Sequence, residues 1–145
     1  MQTYLVDIDD TVYSRTYQLD DDLQNLSNIT VFEGVHEFCS LNPTVFVSKG
    51  DPLLQMKKLR ILGLLSTADG IHIVPTNEGK LAAFKLYTDS VVIGNRRDAE
   101  IRQGNRAGHH TVLVKHGKYA GMPIECNDDV ANEEFDCITA FIKYK

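Results

Sequence analysis

Three short stretches hold the side chains that could do chemistry together. The first reads Leu5-Val6-Asp7-Ile8-Asp9-Asp10-Thr11. In an extended segment, residues two apart point the same way, so Asp7 and Asp9 can face one cleft while Ile8 packs beneath them. Two carboxylates in one crevice suit a nucleophile with a neighbouring acid/base, or an oxygen-ligand site for a divalent cation. A strand ending in acids is equally a common start to a turn. The second stretch, Ser48-Lys49-Gly50-Asp51, offers a hydroxyl beside a glycine that lets backbone amides approach an anion. Serine there also reads as a helix cap or turn residue. The third, Gly94-Asn95-Arg96-Arg97-Asp98-Ala99-Glu100, is a polar cluster that also reads as a helix N-terminus enriched in acids.

These stretches follow elements able to bring them to one edge. Short apolar, β-branched runs at residues 3–7, 44–48, 71–74, 90–94 and 111–114 alternate with helical patterns at 34–41, 52–64, 80–86, 99–107 and 136–142. That rhythm predicts an α/β fold: a doubly wound, Rossmann-like, parallel five-stranded sheet with helices on both faces. In such sheets the reactive residues sit in loops at the carboxyl ends of the strands, which is where all three stretches fall. The region 12–30 breaks the rhythm; it is polar, carries Asp20-Asp21-Asp22, and reads as a solvated loop with a short helix. No repeat or long linker divides the chain, so residues 1–145 are expected to form a single domain.

The chain's size allows one sizeable core. Its net charge of −5 argues against passive binding to a nucleic-acid duplex, which needs clustered Lys and Arg. A charged substrate would therefore need a local basic site or a metal. With no long apolar run and no basic-then-apolar leader, no membrane association and a cytoplasmic location are expected. Cys39, Cys126 and Cys137 are odd in number and lack metal-ligand spacing, so they read as core thiols. His109 and His110 are adjacent on the approach to a strand and point opposite ways, so they read as packing or surface residues, not a chelating pair.

Asp7-Ile8-Asp9-Asp10-Thr11 resembles the Asp-x-Asp-x-Thr nucleophile motif of the haloacid dehalogenase-like (HAD) superfamily. The resemblance continues through Ser48, the helix with Gln55, Lys58 and Gly63, and the stretch Ser90–Glu100 followed by Gly104, Ala107-Gly108, Thr111 and Val114. It implies a motor domain of that superfamily with a minimal cap at 12–30. Asp7 would be the nucleophile that becomes an aspartyl-phosphate, and Asp9 the acid/base. Thr11, Ser48, Lys49 and Lys80 would hold phosphoryl oxygens, with Lys85 behind Lys80 as the alternative lysine. Asp7, Asp9, Asn95 and Glu100 would hold Mg²⁺. The acid at Asp9 implies phosphatase chemistry over dehalogenation, because a leaving alkoxide must take a proton and a halide need not.

Two departures stand out. Asn95 occupies a position where the superfamily carries an acid, so the metal site lacks one charge. The cover is also small, which implies either a large phosphorylated substrate or a cover borrowed by forming homo-oligomers. A HAD fold kept for binding or assembly is the alternative function. A receiver domain fits poorly because residues 71–74 end in Pro75-Thr76 where the phospho-accepting acid should stand, and a dinucleotide-binding domain lacks its glycine signature after the first strand.

Overall fold

The computed structural model describes residues 1–15 and 26–145. Its elements run β1 (Tyr4–Val6), α1 (Val35–Leu41), β2 (Thr44–Lys49), α2 (Pro52–Ile61), β3 (Gly70–Val74), α3 (Gly79–Phe84), β4 (Val91–Gly94), a π-helical turn (Arg97–Ile101) leading into α4 (Arg102–Arg106), β5 (His110–Val114), β6 (Glu133–Phe135) and α5 (Ile138–Tyr144). The strands form one sheet in the order β3-β2-β1-β4-β5-β6, every pair parallel. Leu5 lies in register with Val45 on one side and Val92 on the other, so β1 is central and the loops after β1, β2 and β4 emerge side by side.

Alternation along the strands divides the core. Tyr4, Val6, Phe46, Ile93 and Val112 pack on one face with Phe38 of α1, Leu59 of α2 and Phe141 of α5. Leu5, Val45, Val47 and Val92 pack on the other with Ala83 and Phe84 of α3. Strands buried on both faces are near-continuous in apolar residues, as these are. The Rossmann-like α/β expectation holds, with one correction: the sheet has six strands, not five. β6 reads Glu133-Glu134-Phe135 and has no apolar run to announce it. Tertiary contacts fix it, with Asn132 Oδ1 accepting from the Thr111 amide at 2.8 Å and Arg97 donating to Glu134 at 2.9 Å. The 12–30 stretch is described only at its ends, where Val12, Tyr13 and Leu26 are buried in the core; residues 16–25 of that expected cap lie outside the described residues.

The two histidines diverge as expected. His109 is buried, accepting from the Ser90 amide at Nδ1 (3.2 Å) and donating from Nε2 to the Phe84 carbonyl (2.7 Å), whereas His110 reaches Glu133 on the surface. Among the described residues no helix is long and apolar enough to cross a membrane.

The connection from β5 to β6 is tied to α4 by a buried clamp. Asp129, fully buried, accepts from Arg102 Nε at 2.7 Å and Nη2 at 2.9 Å, and from the amides of Glu125 and Cys126. Arg102 and these further donors hold the Asp129 carboxyl well below the usual carboxylate range. A lowered folded-state value means that its stabilisation is complete above the ordinary aspartate range and is lost as pH falls toward the folded-state value. Asp129→Asn should therefore cost about 2 kcal/mol at pH 7 in urea unfolding, less than the loss of a fully buried pair because Arg102 reaches solvent. The gap between parent and variant should narrow steadily below about pH 4; a gap independent of pH would remove the ion pair from the account.

Candidate active site

At the carboxyl edge of the sheet, a cleft of about 280 Å³ is lined by Asp7, Asp9, Lys49, Lys58, Lys80 and Glu100 among others. Its shape follows from the loops. After β1 the chain turns sharply, with the Thr11 and Val12 amides both donating to the Ile8 carbonyl at 3.2 and 3.1 Å. Asp10 takes a left-handed backbone (φ 58°) and accepts from the Arg15 amide at 2.9 Å, closing the turn behind the two reactive positions. After β2, Asp51 caps α2 by accepting from the Leu54 amide at 3.0 Å, with Pro52 in the first turn. After β4, Gly94 is required: a Cβ there would overlap the Glu100 side chain, so only glycine lets Glu100 lie against the strand end.

Two lysines divide the carboxylates into two groups. Lys80, from the start of α3 and only 2% exposed, donates to Asp7 Oδ1 at 3.2 Å and lies 3.6 Å from Glu100 Oε2. Lys85 is exposed at the end of the same helix, so of these two lysines only Lys80 lines the cleft. Asn95 completes this group. With its amide nitrogen facing the carboxylates it donates to Asp7 Oδ2 at 3.1 Å and to Glu100 Oε1 at 3.3 Å. Burial, and then repulsion from Glu100, push the Asp7 carboxyl well above its usual range against the pull of Lys80. Lys80 itself is raised: burial opposes its charge, but Asp7 and Glu100 more than compensate.

The second group centres on Asp9. Its Oδ1 accepts from Lys58 Nζ at 2.8 Å and from the Tyr13 hydroxyl at 2.9 Å, and its Oδ2 accepts from Gln55 Nε2 at 3.1 Å. Burial raises this carboxyl, but Lys58, joined by Tyr13 and Arg15, outweighs it and the net shift is downward. Gln55 also donates to Ser48 Oγ at 2.6 Å, linking the second loop to the first.

Asp7, Asp9, Ser48, Lys80, Asn95 and Glu100 thus converge. Lys49 lies exposed at the mouth of the cleft. Thr11 is fully buried and donates to Asp7 Oδ2 at 3.3 Å, so it stands behind the carboxylate and not on the cleft wall. Sequence reasoning left Lys58 out of the site, although its spacing from Gln55 carries the signal: two polar residues three apart share one helix face. The cleft is also lined by Arg15, Asn77, Arg96 and Tyr119, with the Arg96 guanidinium 4.0 Å from the Tyr119 ring centre and held by Asp98 through two 2.9 Å bonds.

Oxygen donors suited to a hard dication are present. Asp7 and Glu100 supply two charges, Glu100 Oε2 is buried with no hydrogen-bond partner, and Asn95 can present its oxygen if the amide turns. Asp9 already accepts three hydrogen bonds, two on Oδ1 and one on Oδ2, which leaves Oδ2 able to take a further partner. Among the described residues no three His, Cys, Asp or Glu side chains form a ready metal cluster.

No family model matches the chain. A 48-residue segment, a third of this chain, is 44% identical to a glyceraldehyde 3-phosphate phosphatase from Methanopyrus kandleri, and the match spans about a fifth (21%) of that protein. Solved structures cover nearly the whole chain, two of them as follows. One is of a haloacid dehalogenase-like hydrolase from Burkholderia xenovorans LB400, with TM-score 0.75 and 16% identity over 97% of this chain and 94% of that one. The other is D,D-heptose 1.7-bisphosphate phosphatase from B. bronchiseptica, complexed with magnesium and phosphate, with TM-score 0.70 and 12% identity over 99% and 97%. Sheet order, the position of the cleft and these likenesses agree: the chain has the haloacid dehalogenase-like fold.

Proposed function

We propose that the protein is a Mg²⁺-dependent phosphohydrolase that cleaves phosphate monoesters through an aspartyl-phosphate on Asp7. The observation that carries this reading is the pairing of two carboxylates at the end of β1 with two different buried lysines in one cleft. Asp7 sits beside Lys80, which can neutralise charge on the nucleophile and on the phosphoryl oxygens. Asp9 lies two residues away in the same cleft, where its carboxyl can exchange a proton with a leaving oxygen or a water.

In this mechanism Asp7 attacks phosphorus, the ester P–O bond breaks, and the leaving oxygen takes a proton from Asp9. Water then gives a proton to Asp9 while its oxygen attacks phosphorus, releasing phosphate and restoring the Asp7 carboxylate. A phosphoryl dianion entering the cleft opposes the field of Lys58, which favours the protonated form of Asp9 needed for the first step. Lys80 and Ser48 hold phosphoryl oxygens, with Lys49 at the mouth. Mg²⁺, held by Asp7, Glu100 and the Asn95 oxygen, would supply additional positive charge to the phosphoryl group. The cleft of about 280 Å³ fits a phosphoryl group and a few further atoms, so a large substrate would insert only its phosphorylated end. A phosphatase complexed with magnesium and phosphate shares the fold, which supports the choice of chemistry and metal. A cytoplasmic setting fits the three free thiols.

The second reading, a HAD fold retained for binding or assembly, is favoured by Asn95, whose amide satisfies Asp7 and Glu100 without a metal. Turnover of a phosphate-ester panel with and without Mg²⁺ separates the two. Asp7→Asn should reduce turnover by at least about a thousandfold, since a nucleophile is lost. The same variant should melt at a higher temperature without metal, because an ionised Asp7 is unfavourable in this site; turnover equal to the parent would end the nucleophile assignment. Asn95→Asp should tighten Mg²⁺ binding about tenfold in calorimetric titration, and Glu100→Gln should weaken it by a similar factor. Equal affinity in all three proteins would remove both residues from the metal site.

A further inference from the structure

Lys58 is buried to 1% exposure on a helix whose other lysine and arginine, Lys57 and Arg60, are more exposed. Lysine is almost never buried unless paired, and the ammonium of Lys58 meets Asp9 at 2.8 Å. Gln55, one turn earlier on the same face and equally buried, donates from one nitrogen to both Asp9 and Ser48. With the Tyr13 hydroxyl, Asp9 has three donors on its two oxygens, although its side chain keeps 22% exposure at the cleft. An aspartate at a strand end has two free torsions; three donors from two directions leave it one orientation.

We propose that Lys58 is a positioning residue for proton transfer. With Gln55 it holds the Asp9 carboxylate toward the ester oxygen and locks it to the hydroxyl of Ser48, so that the acid/base and a phosphoryl-binding group move as one unit. This rests on the phosphohydrolase reading of the same cleft. The bland alternative is a pair that only neutralises charge in the fold. A buried ion pair is a poor source of stability compared with apolar packing of the same volume, so stability alone does not account for it. Orientation does: a misplacement of about 1 Å at a reacting group can cost about a hundredfold in rate.

The two roles separate by leaving group. An alkyl phosphate releases an alkoxide that must take the proton from Asp9, whereas p-nitrophenyl phosphate releases a phenolate that leaves without one. Release of the first equivalent of alcohol or phenol, measured in a single turnover with Mg²⁺ present, reports this step before water takes part. In the full chain, Lys58→Met should slow alcohol release by about a hundredfold and phenol release by less than about threefold. Gln55→Leu, which also frees Ser48, should slow both releases, alcohol release by several-fold more than phenol release, and that excess decides the matter if Lys58→Met fails to fold by circular dichroism. Equal losses on both esters, or no loss on either, would overturn the positioning role while leaving the phosphohydrolase reading intact. Failure of the parent to release either product would overturn that reading and this proposal with it.

Discussion

Asp7, Asp9 and Glu100 share one cleft at the end of a sheet with the buried Lys58 and Lys80, and the local structure is arranged around this partial neutralisation of three negative charges by two positive ones. Asp7, Asp9 and Glu100 could not be held together in a cleft this small without compensation, because desolvated like charges repel strongly. Lys80 compensates Asp7 and Glu100, and Lys58 compensates Asp9. Each lysine is supplied by a different helix, on opposite faces of the sheet. The helices are therefore fixed by the charge requirement of the site as well as by the apolar core beneath them.

The central position of β1 makes this possible. With β2 on one side and β4 on the other, three loops converge whose residues are about forty positions apart in the chain. The sheet is buried on both faces, so its ends stay rigid, and rigid strand ends suit groups that must be placed to a fraction of an ångström. The sharp turn at Asp10 and the close approach of Glu100 to Gly94 serve the same end: each brings a carboxylate near its lysine with no intervening side chain.

Much of this was legible in the sequence because it is written in local chemistry. Apolar β-branched runs marked five strands, and the period-two geometry of β1 put Asp7 and Asp9 on one side. The resemblance through Ser48, Lys80 and Glu100 drew the remaining loops to the same edge. What was not legible depends on distant partners. β6 is two glutamates and a phenylalanine, held by Asn132 and Arg97, and nothing in three such residues forecasts a strand. Lys58 is a helical lysine, a type that faces solvent unless a buried acid recruits it, and that acid lies 49 residues away. Asn95 was visible as a missing charge, but its donation to both Asp7 and Glu100 appears only once the two carboxylates are side by side.

In the proposed reaction Asp7 is the atom donor to phosphorus. The direct test is to quench the protein during turnover of a phosphate ester with hydroxylamine, which attacks an acyl phosphate at its carbonyl carbon and leaves a hydroxamate on the aspartate. Mass spectrometry of the resulting peptides should find the modification on Asp7, and none when substrate is omitted. Rapid hydrolysis of the ester with no hydroxamate on Asp7, or with the modification on another carboxylate, would contradict the account.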